Sequence, residues 1–596
     1  MKNKQQGGMM VFRGCMLLLL IVNGYSVSAQ QFIRYLDNPF LTQKQQHHAN
    51  ILISEETTAG YWYIEADASL IKNKNVSLSL ALPNNSNLLI DQMTYSQSFA
   101  SMVSGSGKFD PNGDFIVTEH NGMITSRIGN NQYSYMIYPL SGDKHILIQL
   151  NVTAFPHDES DEGYQHMLKE GMKNKEDERQ RIDPETGEEV FDGSPEAAGN
   201  CKVRCLVAYT DDVGVALADP IAFAESCIQA NNTSFTNSAV NFEVELACAF
   251  QTTYAESGNS GTDKTNFRTN GDGIMDDIFD WRTYYDADLC HLLVNSLSNG
   301  CGEAWTVSVS VYADAFCVTD RGCAVGNLTF PHEYGHLYGC RHDVFVDNTN
   351  TPYAYGHGKT VTGNYRTVMA YSDACGASGC TRVAYFSNPA ITYSGVSTGT
   401  SGSADNESAS EASRVAISGL ESSLTDKFFP SWTHDDGEFA DVLGINTVTN
   451  NTTYVMNSGS EVVWRAGISH TMKPGFWAKS GSKFVTVFDF CNPLVLAGSS
   501  PSKINHSQDV NSTVRVQPNP FSSRFDALVE MKEKGAMKLE LRDATGKLIF
   551  VVAEQNDVEE GIYQYSIDMS DKAEGMYFMH VRMGEEIKTV KLIKTE

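Results

Sequence analysis

The sequence predicts a multidomain chain. A central α/β (α+β) domain is flanked by a β-rich leader and by β-rich C-terminal pieces, the last of them β-sandwich-like. Three observations predict this. The 596 residues exceed what one hydrophobic core fills, and 41% hydrophobic content is enough for several cores. Residues 30–198 and 429–596 repeatedly alternate apolar with polar residues, the period-two signature of half-buried strands. Between them strand and helix patterns alternate, and residues 331–343 hold three histidines, His332, His336 and His342, close together.

Residues 1–29 read as a secretory signal. Lys2, Lys4 and Arg13 supply positive charge, residues 16–22 are a short apolar core, and Val27-Ser28-Ala29 offers a small-residue cleavage site. The apolar run is too short to span a bilayer, and no other stretch reads as transmembrane. Export suits the cysteines: twelve remain after Cys15, eleven of them between Cys201 and Cys380 and the last at Cys491. Short separations suggest the disulfides Cys375–Cys380 and Cys301–Cys317, and the odd count leaves either a free thiol or a bridge to Cys491. The 72 acidic against 44 basic residues give a net charge of −28, which argues against nucleic acid or an anionic membrane surface as a partner. Such acidity would suit calcium as a further cofactor, although acidity by itself also serves solubility.

The leader, 30–198, contains no cysteine. Val76-Ser77-Leu78-Ser79-Leu80 and residues 145–150 read as strands, and Asp110-Pro111-Asn112-Gly113 reads as a turn between two more. Gly105-Ser106-Gly107-Lys108 imitates a phosphate loop. It fails because Met102 stands where the first glycine belongs and Phe109 replaces Ser or Thr. From 158 to 199 the chain becomes charged and reads as an exposed, cleavable linker.

The central domain, 199–428, opens with a strand at 203–209, a helix at 220–230 and a strand at 240–250. Asn270-Gly271-Asp272-Gly273 has the look of a calcium loop, but Ile274 stands where a ligand is needed. A turn before a helix at 274–286 is the expectation. At 304–312, Val307, Val309 and Val311 alternate with Ser308 and Ser310, which predicts another strand; a helix at 407–428 closes the domain.

The stretch 331–343 carries the chemistry. His332 and His336, four apart, share one helix face and can reach one metal ion. Gly339 can end the helix at positive φ and return His342 to the same ion. Three neutral imidazoles leave one position open, as in catalytic rather than structural zinc sites. Glu333 stands between the histidines, where a general base belongs.

The full pattern His332-Glu333-x-x-His336-x-x-Gly339-x-x-His342-Asp343 resembles the metzincin signature of zinc endopeptidases. That resemblance implies a twisted mixed sheet with a zinc helix, one catalytic Zn2+, Glu333 as general base, and protein or peptide substrates. It also implies a methionine turn, for which Thr367-Val368-Met369-Ala370-Tyr371 is available, with Met369 as an apolar floor beneath the ligands. Ordinary core filling is the alternative use of Met369. Tyr371 could ligate the metal, hydrogen-bond an oxyanion, or simply pack. The strand at 304–312 would be the edge that binds extended substrate. A β-rich segment ahead of such a domain would be an inhibitory propeptide. Lacking cysteine, it would need another latency ligand, and Asp192 is a candidate against the alternative of a plain Asp-Gly turn. Cys301-Gly302-Glu303-Ala304-Trp305, Tyr355-Gly356-His357-Gly358, Tyr385-Phe386-Ser387-Asn388-Pro389 and Ala404-Asp405-Asn406 resemble bacterial reprolysin-like (adamalysin-related) metalloproteases. Tyr371 departs from typical reprolysins and is similar to the tyrosine of astacins, serralysins and pappalysins. His357 is then structural.

Residues 429–505 resemble a small β-stack module, in which Phe476 and Trp477 are expected to pack in the core rather than bind a polymer. Residues 506–596 resemble the C-terminal sorting domain of type IX secretion, on Pro518-Asn519-Pro520-Phe521, residues 539–548, Gly575-Met576-Tyr577 and Lys591-Leu592-Ile593-Lys594. Met537, Leu539 and Leu541 alternate with charges before a Thr-Gly turn, as a hairpin requires. This resemblance implies the type IX secretion machinery as a partner, and a secreted or surface location in a Gram-negative bacterium. The competing expectation is a surface adhesin or polymer-binding protein with an inert or secondary protease fold.

Overall fold

The computed structural model describes residues 29–180, 203–420, 426–488 and 514–594, apart from short breaks within them. The signal stretch 1–28, Asp192, Cys201, Cys491 and the Thr-Gly turn at 545–546 lie outside the described residues. The chain divides into two compact units, the first holding the leader and the central domain.

The leader is a ten-stranded, largely antiparallel sheet. Its centre is a meander in which Met102–Phe109 and Gly113–His120 form the expected hairpin around Asp110–Gly113. Phe32, Ile64, Leu78, Leu80, Phe115, Val117 and Leu147 fill its core. Lys108 sits on a strand and donates to Asp114 and Asn237, an ion-pair role rather than a phosphate-binding one.

The first half of the linker expected at 158–199 is instead a helix, Asp161–Gln180, and residues 181–199 lie outside the described residues. Asp161, Glu162, Gln165 and Lys169 face outward, whereas Gly163, Tyr164, Met167 and Gly171 are buried. A Cβ on Gly171 would collide with the Val307 carbonyl, so glycine lets this helix lie directly on the central domain. Over 161–171 the charged residues are therefore one face of an amphipathic helix.

In the central domain, strands Val203–Thr210, Val244–Thr252, Leu289–Val294 and Phe316–Asp320 pair in parallel, and Gly302–Ala304 adds an antiparallel edge. Beside this mixed sheet runs a helix, Pro220–Asn237, capped by Asp219 on Ala222 N–H with proline in its first turn. It extends past the predicted end at 230. Thr233 and Ser234 satisfy their hydroxyls on the carbonyls of Gln229 and Ala230, which hides their polarity inside the helix.

The strand expected at 304–312 is confined to Gly302–Ala304. Beyond it the backbone bonds elsewhere: Val307 N–H to Met167 O, Ser308 N–H to His336 O and Val309 N–H to Leu337 O. The valines alternate because Val307 and Val309 are buried over another helix, not because a ladder continues. At the glycine-rich turn Asp276 accepts from Gly271 and Gly273 N–H ahead of a helix at Asp277–Tyr284, so its carboxylate serves the turn itself. The closing helix is shorter than expected, Asn406–Ile417, and Asp426–Phe429 is a strand.

Cys375 and Cys380 are bonded as expected, but Cys301 pairs with Cys323, not Cys317. Cys317 points into the core with its thiol toward Glu333 O, while the short helix Arg321–Ala324 brings Cys323 back to Cys301. Cys205, Cys227, Cys248 and Cys340 are buried apolar side chains too.

In the second unit, short parallel strands stack in register: Trp432 beside Tyr454 beside Phe476. Phe476 packs parallel to Tyr454 and against Trp464, as expected. Trp477 is 64% exposed, contrary to expectation. Neighbours on a strand point to opposite faces, so only one of the two can enter the core. The C-terminal piece is a two-sheet β structure of three and four strands, with Phe525, Ala527, Val529, Leu539, Leu541, Met579 and Val581 in one shared core. Strands Gly535–Asp543 and Leu548–Val558 pair antiparallel, as the expected hairpin requires.

Candidate metal centre

The helix Thr329–Leu337 is buried along its whole length. It ends at Gly339, whose φ of +83° turns the chain so that Cys340 N–H returns to Gly335 O. The return brings His342 beside the two helical histidines. His332 Nε2 lies 3.1 Å from His336 Nε2 and 3.3 Å from His342 Nε2. Val368 O lies 2.8 Å from His332 Nδ1, and Cys340 O lies 3.0 Å from His336 Nδ1. Those carbonyls accept the ring N–H and leave the Nε2 lone pairs turned toward one another. Burial pushes His336 below its ordinary pKa and His342 down to about 4, so both imidazoles are neutral ligands at pH 7.

Neutral nitrogens at this spacing fit an ion about 2.0–2.1 Å from each, the Zn–N distance of a tetrahedral site. The donor set fits zinc for a second reason. A fully buried carboxylate, Glu159, completes the cluster at 3.0 Å from His332 Nε2, 2.8 Å from His336 Nε2 and 3.2 Å from His342 Nε2. Among the described residues this is the one group of histidine, cysteine or acidic side chains arranged to hold a metal. Burial opposes the Glu159 charge, but the surrounding imidazoles outweigh it and hold the carboxyl well below its usual range.

Glu333 is fully buried, and neither of its carboxylate oxygens has a hydrogen-bond partner. Burial first, then the nearby Glu159 charge, raises its pKa well above normal. It faces the sheet edge, where a Cβ on Gly302 would come 2.8 Å from Glu333 Oε1. Met369 lies beneath the helix, and a Cβ on Gly335 would collide with its sulfur. Asp343 accepts from Tyr371 N–H at 2.9 Å and Phe345 N–H at 3.1 Å, which ties the His342 loop to the segment after Met369. The Tyr371 hydroxyl donates to Glu159, and its ring lies 4.2 Å from that of His342. His357 supports the His342 carbonyl through Nδ1 at 2.8 Å, a structural use as expected.

Residues 201–387 match the profile of Metallo-peptidase family M12. A peptidyl-Asp metalloendopeptidase of Stenotrophomonas maltophilia is 33% identical over 332 residues, which cover 55% of this chain and 75% of that protein. The chain belongs to metallo-peptidase family M12. A peptidyl-Asp metalloendopeptidase of Xanthomonas campestris is 35% identical over 299 residues, covering 50% of this chain and 67% of its own. One from Pseudomonas fragi is 36% identical over 166 residues, covering 27% and 85%. Residues 515–595 match the secretion system C-terminal sorting domain.

In this M12 metalloendopeptidase the structure brings His332, Glu333, His336 and His342 together, and with them Met369 and Tyr371, which only the family resemblance had placed there. Sequence reasoning missed Glu159 and, next to it in the chain, Asp158, whose carboxylate forms a buried ion pair with Arg382. Glu159 comes from the leader, just ahead of the helix Asp161–Gln180, and that helix also stacks Tyr164 on His342 at 3.9 Å between ring centroids. Within a charged run, His157-Asp158-Glu159 has no local signal that separates a ligand from a solvated side chain.

Proposed function

We propose that this protein is exported as a latent zinc endopeptidase, is freed when its leader is cut, and cleaves proteins beside aspartyl residues. The observation that carries the reading is the buried His332–His336–His342 cluster closed by a leader carboxylate, with the unpartnered Glu333 next to it. The names of the relatives supply the aspartyl preference, and the sorting domain supports export.

Zinc, when bound by the three histidines, supplies Lewis-acid polarisation of a scissile carbonyl and of water. Glu333 then takes the proton from the attacking water and delivers it to the leaving amine. Its burial keeps proton affinity high enough for that exchange. Once Glu159 leaves, the Tyr371 hydroxyl is free to donate to the oxygen that gains charge during attack. In the intact chain Glu159 occupies that place, so substrate and leader exclude one another. Asp192 remains a second candidate for latency on sequence grounds alone.

The test compares the full chain before and after limited proteolysis between residues 181 and 202, using denatured protein as substrate. Activity should rise on cutting and vanish with a zinc chelator. An uncut chain that is already fully active would remove the inhibitory role of the leader. Chelator-sensitive activity that survives in Glu333→Ala would remove the mechanism. Intact ligands and base argue against the adhesin reading, which retains only the exposed Trp477 in its favour.

A further inference from the structure

Arg382 is a buried cation whose ion-pair partner, among the described residues, is an acid of the leader. Its guanidinium holds the Asp158 carboxylate from both ends, Nη1 at 2.9 Å from Oδ1 and Nη2 against Oδ2. The same Oδ1 accepts from Thr329 Oγ1 at 2.7 Å and lies 3.4 Å from Asn327 Nδ2. All these donors belong to the central domain. Two further bonds orient the guanidinium, Nη1 to the Asn327 carbonyl at 3.0 Å and Nη2 to the Ala370 carbonyl at 3.5 Å. Arg382 Nε is buried without a partner. A planar fork that grips both carboxylate oxygens is the geometry of carboxylate recognition.

The backbone of Asp158 is placed as a substrate would be. Its carbonyl accepts from Cys301 N–H and Gly302 N–H, each at 2.7 Å, at the edge strand of the central sheet. Pairing an extended segment to a sheet edge is how such edges bind peptides. The next residue, Glu159, reaches the histidine cluster, and Asp158 Oδ2 itself lies 3.9 Å from His332 Nδ1. The carboxylate pocket is therefore one residue from the reaction centre. Arg382 is also held firmly. It sits on the short strand Thr381–Arg382, paired with Tyr365–Arg366 and following directly on the Cys375–Cys380 disulfide.

We propose that Arg382, Asn327 and Thr329 form the subsite that reads the aspartyl side chain flanking the scissile bond, and that Asp158 fills this subsite in the precursor as a substrate surrogate. The inference rests on the endopeptidase reading above. The pocket explains a preference for Asp over Glu and Asn. The backbone bonds at Gly302 fix the Cα, so a side chain one methylene longer would drive its carboxylate into Arg382. An amide would offer the guanidinium one acceptor where it holds two. Removal of the leader takes the Asp158 carboxylate away from Arg382, and a substrate aspartate replaces it.

The test uses leader-cleaved enzyme and peptides that differ only in Asp, Asn, Glu or Ala at one position beside the cleaved bond. The native enzyme should favour Asp over Asn in kcat/KM by about 100-fold or more. Arg382→Gln should bring that ratio below about tenfold, with the loss confined to Asp peptides, and Arg382→Lys should restore part of it. An unchanged ratio in Arg382→Gln overturns the proposal. Cleavage by the native enzyme with no acidic preference overturns it while the endopeptidase reading stands; no cleavage of any peptide removes both. A second readout needs no turnover. In the intact full chain, Asp158→Asn and Arg382→Gln should each speed tryptic cutting within residues 161–180 by about tenfold or more, and the double variant should do no more than either. Rates equal to the native chain in Asp158→Asn overturn the surrogate role even if Arg382→Gln fails to fold.

Discussion

The Glu159 carboxylate stands 2.8 Å from His336 Nε2, although 177 residues separate the two in the chain. The contact joins a leader side chain to a metal-ligand candidate in one buried cluster, and on the proposed reading it is where the leader blocks the site. Glu159→Ala in the full, uncut chain should raise basal hydrolysis of a denatured protein at least about tenfold, because the inhibitory carboxylate would be gone while the leader still folds. Hydrolysis equal to the native precursor would assign latency to the rest of the leader.

Glu333→Gln should keep its zinc, since Glu333 is not among the histidine nitrogens that meet. Its kcat should fall about 10²- to 10⁴-fold, the span a positioned general base supplies. Metal analysis and steady-state kinetics on the same preparation check both halves.

His336→Ala should remove the zinc. The two remaining histidines cannot close the site, and the buried Glu159 would lose part of its compensation. Elemental analysis should find near-zero metal. The native precursor treated with a chelator should melt at a lower temperature, since a ligand that binds only the folded state stabilises it. Full zinc occupancy in the variant would discard this ligand set.

Gly335→Ala should destabilise the central domain by about 1–3 kcal/mol, because the new methyl group collides with Met369 Sδ under the helix. Adding Met369→Ala should recover part of that loss, and denaturant midpoints of the four chains in the cycle measure it.

His145 gives the leader a pH dependence with a defined sign. It is fully buried, accepts from Ile124 N–H at 2.9 Å through Nε2, and burial pushes its pKa down to about 4. Unfolded, it titrates near about 6.5. Between those values the unfolded chain binds the extra proton, so the stability from His145 is complete above about 6.5 and is lost as pH falls toward 4. The loss amounts to roughly 3 kcal/mol at most. The stability gap between native and His145→Gln precursors should shrink from pH 7 to pH 4; a constant gap would refute it.

The hairpins of the leader and of the C-terminal piece were legible because strand alternation is written in adjacent residues, as at Leu539 and Leu541, both buried. Helix length was legible only in part. Thr233 and Ser234 look like loop residues until their hydroxyls are seen bonded one turn back. The valine-rich stretch could not be told from a ladder, because burial by a neighbouring helix and burial by a strand leave the same alternation at Val307 and Val309.

The sequence by itself determined the metal-ligand candidates and the base. His332, Glu333, His336, Gly339 and His342 lie within eleven residues, so helix periodicity and one glycine turn place them without any distant contact. The tertiary structure alone decided what fills the site. Glu159 reaches His332 across 173 residues and Asp158 reaches Arg382 across 224. Such pairs form when two folded surfaces meet, and a carboxylate in a charged run carries no local mark of which surface it will meet. The same holds for Cys301, which bonds Cys323 because a short helix returns there, and for Trp477, which stays outside because Phe476 takes the inward face. Periodicity records which way a side chain points; only packing decides what it meets.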